Sequence, residues 1–570
     1  MIRLSELKIP LDASFDTSDT YAPSHLFTHA LQVLIQKTLN AAASDIASWH
    51  IFKRSFDARR KPIQVVYIVD VTLQSLALEQ QLLINFKENS HIQATPDMQW
   101  HAPIHAPADW SPPQGMRPVV VGFGPCGIFA ALALAQMGLK PIVIERGKSV
   151  RQRTKDTWGL WRKHQLNPQS NVQFGEGGAG TFSDGKLYSQ IKDPRHLGRK
   201  VMHEFVSAGA PPEILYEAHP HIGTFKLVKV VENLRAQIEA LGGEIRFEQQ
   251  VTDLLIDGYS ATQRQLCGLV VTDLKTGTRH TVLSRHVVMA LGHSARDTFS
   301  LLHQHDVAMQ AKPFSIGFRI EHPQSVIDRA RWGQHAGNPI LGAADYKLVH
   351  HAANGRVVYS FCMCPGGTVV AATSELERVV TNGMSQYSRN ERNANAGIVV
   401  GIDPSDFLND GNTKDVHPLA GIVLQRQLES HAYVLGGSDY CAPGQRVEDF
   451  LNHRASTQWG DVEPSYKPGA LPTDLSSALP TYAIDAIREA LPAFGGKIKG
   501  FDMADAVLTG VETRTSSPLK IDRDPQFQSP NLLGLYPAGE GAGYAGGILS
   551  AGVDGIKVAE ALAKSIYTAN

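Results

Sequence analysis

The chain has 570 residues, of which 43% are hydrophobic and 19% are charged, and its formal net charge is −1. This is an ordinary globular composition, and at about 100–200 residues per domain the length predicts about three domains. A near-neutral chain gives no global reason to expect binding to nucleic acid or to a membrane. Five cysteines are too few for a disulfide framework, and residues 1–12 lack the apolar core of a signal peptide. We therefore expect a soluble protein of the cytoplasm.

The first hundred residues alternate between strand and helix patterns in the order β-α-β-β-α-β. Strands are predicted at 1–9, 49–56, 63–73 and 92–96, and helices at 26–39 and 76–86. This order predicts a ferredoxin-like α+β domain over residues 1–98. The proline-rich segment that follows, residues 99–116, predicts a linker.

A glycine-rich turn then connects an apolar strand to an apolar helix. It consists of Gly122, Phe123, Gly124, Pro125, Cys126 and Gly127, and the next apolar strand ends at Glu145 and Arg146. In such a pattern the first glycine allows the tight turn, the second lets the backbone approach a pyrophosphate, and the third lets helix and strand pack closely. The helix N-terminus attracts phosphate, and the acidic residue binds a ribose. The segment predicts a dinucleotide site, and the acid disfavours NADP.

Three later segments favour FAD over NAD. They are the strand and turn at 287–293, the strand and turn at 531–541, and the turn that opens the last helix at 546–549. They resemble the dinucleotide-contacting turn and the second FAD signature of glutathione-reductase-type flavoproteins, with a glutamate in place of the usual aspartate. The resemblance implies that the following residues contact FAD: Ala290, Gly292, Gly539, Glu540, Gly546, Gly547 and Ile548.

Residues 174–186 form a loop with five glycines, which exposes backbone N–H groups. The loop resembles the Gly-Gly loop that lies against the isoalloxazine ring in fumarate-reductase-like flavoproteins. That resemblance implies that Gly177 and Gly178 contact the cofactor. Lys186 would place a cation near the flavin or near a substrate anion, and the alternative is a solvated lysine on a flexible loop.

With the segments at 53–59, 219–226 and 362–367, nearly the whole chain is similar to a poorly characterised family of FAD-dependent oxidoreductases, the FAD-dependent dehydrogenases. The resemblance implies the cofactor and an α/β fold, but no particular reaction. We expect a Rossmann-type FAD-binding domain in two parts, at 117–309 and 505–570. An inserted mixed α+β substrate domain is expected at 310–504, in addition to the N-terminal ferredoxin-like domain.

Two cysteines of the predicted insert are candidates for chemistry. Cys362 and Cys364 share one face of a strand with Ser360, and they would face the flavin. As redox thiols they would form a strained ring. A metal site would need two more soft ligands, of which only Cys441 is plausible, and we predict no metal. Packing as small buried residues is the third interpretation.

Other polar residues are weaker candidates. His293 follows a glycine turn and would act as an acid or base, or serve as a structural histidine. Arg514 lies in a polar segment that would face the flavin before the chain returns to the FAD-binding domain. The helix that contains Gln425, Arg426 and Glu429 is predicted to present them to solvent.

The sequence favours an oxidoreductase that transfers hydride between FAD and an unidentified small molecule. The alternatives are a flavin monooxygenase and an RNA-modifying or RNA-binding flavoprotein. Nucleic acid is the weaker choice, because the basic run that would bind it lies in a hairpin, where charges are usually solvated. That run consists of Lys53, Arg54, Arg59, Arg60 and Lys61. Residues 310–501 contain no second dinucleotide fingerprint, so electrons would come from transiently bound NAD(P)H or from a protein donor.

Overall fold

The computed structural model describes residues 1–11, 28–59, 61–107, 109–112, 115–258, 264–407 and 416–568. Leu26 and Phe27 of the first predicted helix, and Arg60 of the basic run, lie outside these residues. Within the described ranges, no helix is long and apolar enough to cross a membrane.

The N-terminal unit is a four-stranded antiparallel sheet with two helices. Its elements are β1 (Ile2–Pro10), α1 (Thr28–Leu39), β2 (Ile46–Asp57), β3 (Gln64–Leu73), α2 (Leu76–Asn85) and β4 (Ile92–Ala94). The strand order is β2-β3-β1-β4, and the elements follow the β-α-β-β-α-β succession. Helix α1 buries Leu31, Ile35 and Leu39 because residues four apart share one helical face.

The second unit is built on a parallel sheet of five short strands. Its first part contains β5 (Val119–Val121), α3 (Pro125–Gln136), β6 (Ile142–Ile144), α4 (Val150–Lys163), α5 (Leu197–Ser207), α6 (Thr224–Ala240), β7 (Glu244–Arg246), β8 (Gln249–Asp257), β9 (Gln265–Asp273), β10 (Arg279–Leu283), β11 (Val287–Met289), α7 (Arg296–Gln304) and β12 (Met309–Ala311). Strands β8, β9 and β10 form a separate antiparallel sheet. Every residue of β5, β6 and β11 is apolar and buried, as expected for parallel strands covered on both faces.

The inserted unit contains a seven-stranded mixed sheet. Its elements are β13 (Phe314–Pro323), α8 (Gln324–Trp332), β14 (Val349–His351), β15 (Val357–Cys364), β16 (Gly367–Ala371), β17 (Thr381–Ser385), β18 (Asn393–Ile402), α9 (Ala420–Leu435), β19 (Ala442–Arg446), α10 (Val447–Leu451), β20 (Ala470–Pro472), α11 (Thr481–Lys497) and β21 (Val507–Glu512). The sheet order is β14-β15-β18-β13-β21-β19-β20. Because β21 pairs with β13 and β19, this sheet continues past residue 504, where the sequence placed the end of the insert.

The chain then returns to the five-stranded sheet. It does so through β22 (Leu519–Ile521), which pairs with β12, then β23 (Leu535–Pro537) and α12 (Ile548–Thr568). Strand β23 completes the order β23-β11-β5-β6-β7, in which all neighbours are parallel. Helix α12 packs so closely on α3 that a Cβ on Gly555 would lie 2.3 Å from the Cys126 carbonyl oxygen.

Candidate functional site

A cavity of about 1150 Å³ opens at the carboxyl ends of β5, β6 and β11 and extends to the sheet of the insert. It exceeds the roughly 300–1,000 Å³ of ordinary ligand pockets, and this edge of a parallel sheet is where ligands usually bind. It brings together most of the predicted site residues, namely Gly122, Gly124, Pro125, Cys126, Glu145, Arg146, Gly178, Lys186, Ala290, Gly292, His293, Cys362, Arg514, Glu540, Gly546, Gly547 and Ile548. The remaining predicted residues, Gly127, Gly177, Cys364 and Gly539, do not line it.

The glycine turn and the glycine-rich loop pack directly against each other on one side of the cavity. A Cβ on Gly122 would lie 2.6 Å from the Ala290 carbonyl oxygen, and one on Gly178 would lie 2.8 Å from the Gly124 Cα. The N–H of Gly177 donates to the Phe123 carbonyl oxygen at 2.8 Å. Glycine is therefore required at positions 122 and 178, where a side chain would overlap the neighbouring backbone. Gly177 does not line the cavity but attaches the loop to the turn through its backbone hydrogen bond.

Glu145 connects three segments of this wall. Its carboxylate accepts N–H groups from Phe123 at 2.8 Å, Gly147 at 2.7 Å and Gly175 at 3.0 Å. The side chain is buried but still borders the cavity, where it can also accept a ribose hydroxyl. The guanidinium of its neighbour Arg146 donates to both oxygens of the Asp297 carboxylate at 2.8 Å, so Arg146 already forms an ion pair within the protein.

The cavity has the space and the polar groups that a flavin dinucleotide needs. Helices α3 and α12 both begin at its wall, and the N–H groups of a helix start suit phosphate. A Cβ on Gly292 or Gly546 would meet no atom within 4 Å, so the backbone there faces open volume. The buried Nε2 of His293 has no partner among the described residues. These observations fit a dinucleotide cofactor.

Arg153 lies outside the motifs that the sequence indicates, and it holds the glycine-rich loop from below. It is fully buried in α4 and donates to five backbone carbonyl oxygens, those of Asn171, Val172, Gly175, Glu176 and Gly178. Burial lowers its pKa to about 10. In the sequence, Arg153 shares a helical face with Val150, Thr157 and Leu160, which is the buried face of α4. This spacing is a weak signal, because it indicates burial but not which groups the guanidinium contacts.

Lys186 is a half-buried cation at the far end of the same loop. Its Nζ donates to the Met363 carbonyl oxygen and lies 3.6 Å from the Asp184 carboxylate, and its side chain is 18% exposed. The interpretation as a solvated surface lysine is therefore wrong. Asp184 also accepts from Arg389 and Ser385. Although burial raises the pKa of Asp184, the charges of Arg389 and Lys186 hold it well below its usual value.

The two cysteines of β15 do not share one face as predicted. The pairing of β15 with β18 shifts register between Phe361 and Cys364, and Cys362 has a left-handed φ of 43°. As a result Cys362 lines the cavity, whereas Cys364 is buried behind it. Cys441, the plausible third metal ligand, instead lies beside His164 and Asp439.

The predicted solvent-facing surface of α9 is wrong for two of its three polar residues. Gln425 and Glu429 are buried, and Glu429 accepts from Arg296 at 2.7 Å and from Arg514 at 2.9 Å. Arg514 also donates to Ser294 and Ser374. The sequence pattern missed this because both arginines come from segments distant in the chain. Arg514 is thus anchored at the cavity wall, and a direct role in catalysis stays a prediction.

Two cations of the basic run are paired within the protein. Arg54 is buried against Glu217, and Arg59 contacts Asp57 at 2.7 Å. These contacts reduce the charge that the hairpin offers to a polyanion.

Two family models and one relative match the chain by sequence. Residues 313–515 match a family model described as FAD-dependent protein, C-terminal domain-like, and residues 1–72 match a domain of unknown function. An uncharacterized protein of Clostridium beijerinckii (strain ATCC 51743 / NCIMB 8052) is 46% identical over 542 residues, which cover 93% of this chain and 95% of the relative.

Two solved structures match the chain at low sequence identity and low TM-score. Glycerol-3-phosphate dehydrogenase from Bacillus halodurans, complexed with FAD, is 12% identical with a TM-score of 0.33, and covers 81% of this chain and 65% of its own. Quinol fumarate reductase of E. coli is 12% identical with a TM-score of 0.34, and covers 80% of this chain and 71% of its own.

Proposed function

Because the chain belongs to this poorly characterised family of FAD-dependent oxidoreductases, we propose that it transfers hydride between FAD and a small-molecule substrate held in the cavity. The observation that carries the proposal is the continuity of the cavity. It runs from Gly122 and Glu145 of the Rossmann-type unit to Tyr359 and Cys362 of the insert. One chamber thus has room for a cofactor and for a second molecule beside it.

The chain's own groups have separable roles in this reaction. The helix start of α3 would hold the phosphates, the start of α12 would approach the pyrimidine edge of the flavin, and Glu145 would hold the adenosine ribose. His293 would hold or move a proton, since its Nε2 has no hydrogen-bond partner in the described part of the chain and its Nδ1 lies 3.8 Å from the Glu540 carboxylate. When bound, FAD supplies the hydride-accepting or hydride-donating centre.

The substrate would bind against the insert, where the walls carry several polar side chains. Lys186, Tyr359, Asn382 and Glu512 line this part of the cavity. Burial raises the pKa of Glu512, although Arg319 at 2.7 Å opposes that effect. We propose that electrons reach the flavin from transiently bound NAD(P)H or from a protein donor, because residues 310–501 lack a second dinucleotide fingerprint.

The test begins with the FAD content of the purified protein. Replacing Glu145 with alanine removes a buried carboxylate that binds ribose, so FAD affinity should fall about tenfold or more. The matched control is Glu239→Ala on the exposed side of α6, which should leave FAD affinity unchanged. A wild-type protein that binds no FAD in equilibrium dialysis would contradict the proposal.

The second part of the test addresses the reaction. The FAD-loaded protein is reduced anaerobically with NADH or NADPH, and reoxidation of its flavin absorbance is followed with a panel of small-molecule acceptors. Hydride transfer predicts reoxidation without oxygen by a subset of acceptors. Turnover that requires oxygen and places an oxygen atom in the product would identify a monooxygenase instead.

A further inference from the structure

The end of β15 brings two thiol groups together in an unusual way. In a regular strand, the side chains of residues 362 and 364 would point to the same face of the sheet, because side chains alternate with a period of two. Here Cys362 has a φ of 43°, a conformation that non-glycine residues rarely adopt, and the ladder shifts register before Cys364. The Cys364 thiol consequently turns back and donates to the Cys362 carbonyl oxygen at 3.4 Å.

A fully buried arginine and a half-buried lysine fix this irregular backbone. Arg319 is fully buried and donates to the Cys362 carbonyl oxygen at 2.8 Å, and Lys186 donates to the next carbonyl, that of Met363. Arg319 comes from β13 and Lys186 from the glycine-rich loop, so two separate elements converge on the same two residues. Nonrepetitive backbone held by converging contacts is typical of functional positions.

The two thiols differ in access to the cavity. Cys362 lines it, whereas Cys364 is completely buried behind the strand. The hydrogen bond with Cys364 and the charges of Lys186 and Arg319 lower the pKa of the Cys362 thiol, against the effect of burial. The pKa of Cys364 is raised by its contact with Cys362 and by burial. A cavity-lining thiol of lowered pKa beside a buried thiol of raised pKa is the usual arrangement for thiol–disulfide chemistry.

We propose that Cys362 and Cys364 form a redox-active dithiol that exchanges one electron pair with the flavin. In the oxidising direction, the Cys362 thiolate sulfur bonds to the Cys364 sulfur and the Cys364 S–H bond breaks. The released proton and two electrons pass to oxidised FAD, which becomes the anionic reduced flavin. The reverse reaction reduces the disulfide. The proposal rests on the proposed function only in requiring FAD in the same cavity.

An anaerobic reductive titration of the air-oxidised, FAD-loaded protein tests the pair by counting electrons. With a disulfide present, each chain should take up four electrons from dithionite, two for FAD and two for the disulfide. Cys362→Ser and Cys364→Ser should each take up two. Cys267→Ser and Cys441→Ser, at half-buried positions outside the cavity, should still take up four. Circular dichroism checks that each variant folds.

Mass spectrometry gives a readout that is independent of the flavin. After alkylation under denaturing conditions, the wild-type peptide that contains residues 357–367 should be unmodified and two hydrogens lighter before reduction, and doubly alkylated afterwards. A wild-type protein that binds FAD but takes up only two electrons, with both thiols alkylated before reduction, would overturn the dithiol while leaving the proposed function intact. A disulfide in a protein without FAD would overturn the proposed function and the exchange with flavin.

Discussion

At the scale of single residues, Glu429 is a fully buried carboxylate between two guanidinium groups. Its oxygens accept from Arg296 and Arg514, and the Thr513 hydroxyl donates to it at 2.9 Å. Removing one partner of a buried ion pair typically costs about 3–5 kcal/mol, because the remaining charges stay uncompensated. We expect Glu429→Gln to lower the free energy of unfolding in urea by that amount. The exposed Glu377→Gln is the control, and equal losses in both variants would refute the assignment.

The same cluster predicts a dependence of stability on acid. Burial raises the pKa of Glu429, but Arg296 and Arg514 outweigh it and hold the pKa well below 4.5. Burial also raises the pKa of Glu375, but Arg426 and Arg296 lower it to about 2. A folded-state pKa below the unfolded value contributes stability that is complete above about pH 4.5 and is lost as the pH falls. Urea titrations between about pH 5 and pH 3 should therefore show a smaller loss for Glu429→Gln than for wild type.

Arg153 provides a second prediction at this scale. Its guanidinium donates to five carbonyl oxygens beneath the loop that contains Gly178, so Arg153→Met leaves those oxygens buried without a donor. We expect the loop to loosen and FAD affinity to fall about tenfold or more in equilibrium dialysis. Arg151→Met is the matched control in the same helix, since Arg151 is 68% exposed and its guanidinium donates to the Glu232 carboxylate at the surface. Identical affinities for the two variants would contradict this role.

The residues that sequence could identify are those whose partners lie nearby in the chain. Gly122, Gly127 and Glu145 follow from one strand-turn-helix-strand unit, whose spacing is set by local geometry. Arg153 and Glu429 were missed because their burial depends on segments that only tertiary structure brings together. Cys362 was placed on a regular pleat, since the shift in register arises from contacts with β18, Arg319 and Lys186.

At the scale of elements, local patterns located the helices and strands of the N-terminal unit and those around the glycine turn, but they assigned one strand to the wrong unit. Residues 507–512 precede a polar segment, and the sequence assigned them to the FAD-binding domain. Strand β21 instead pairs with β13, nearly two hundred residues earlier. Sheet membership depends on that distant pairing, so no local pattern in β21 could have indicated it.

The contact between α3 and α12 yields a prediction about these elements. A Cβ on Gly555 would overlap the Cys126 carbonyl oxygen at 2.3 Å, which forces the helices apart. We expect Gly555→Ala to cost about 1–3 kcal/mol of stability and to weaken FAD binding, because α3 carries the glycine turn. Gly496→Ala in α11 is the control, since a Cβ there meets no atom within 4 Å and alanine favours helix. Calorimetry that finds Gly555→Ala as stable as Gly496→Ala would exclude the close contact.

At the scale of the whole molecule, two units line the cavity and the N-terminal unit contacts a segment that lines it. The Rossmann-type sheet is assembled from strands on both sides of the insert, and β23 lies beside β11. The N-terminal unit joins through Arg54, whose backbone bonds to Tyr216 and Ala218, and Ala218 lines the cavity. A ligand in the cavity therefore contacts segments from distant parts of the chain.

This arrangement predicts that FAD stabilises the whole chain and not one unit alone. A ligand at about a thousand times its Kd contributes about 4 kcal/mol to the folded state. We expect added FAD to raise the Tm of the deflavinated protein and to slow amide hydrogen exchange in β1 and β3 as well as in β5. The Glu145→Ala variant should show neither effect at the same FAD concentration. Slower exchange confined to the five-stranded sheet, with β1 and β3 unchanged, would mean that the N-terminal unit unfolds independently of the ligand site.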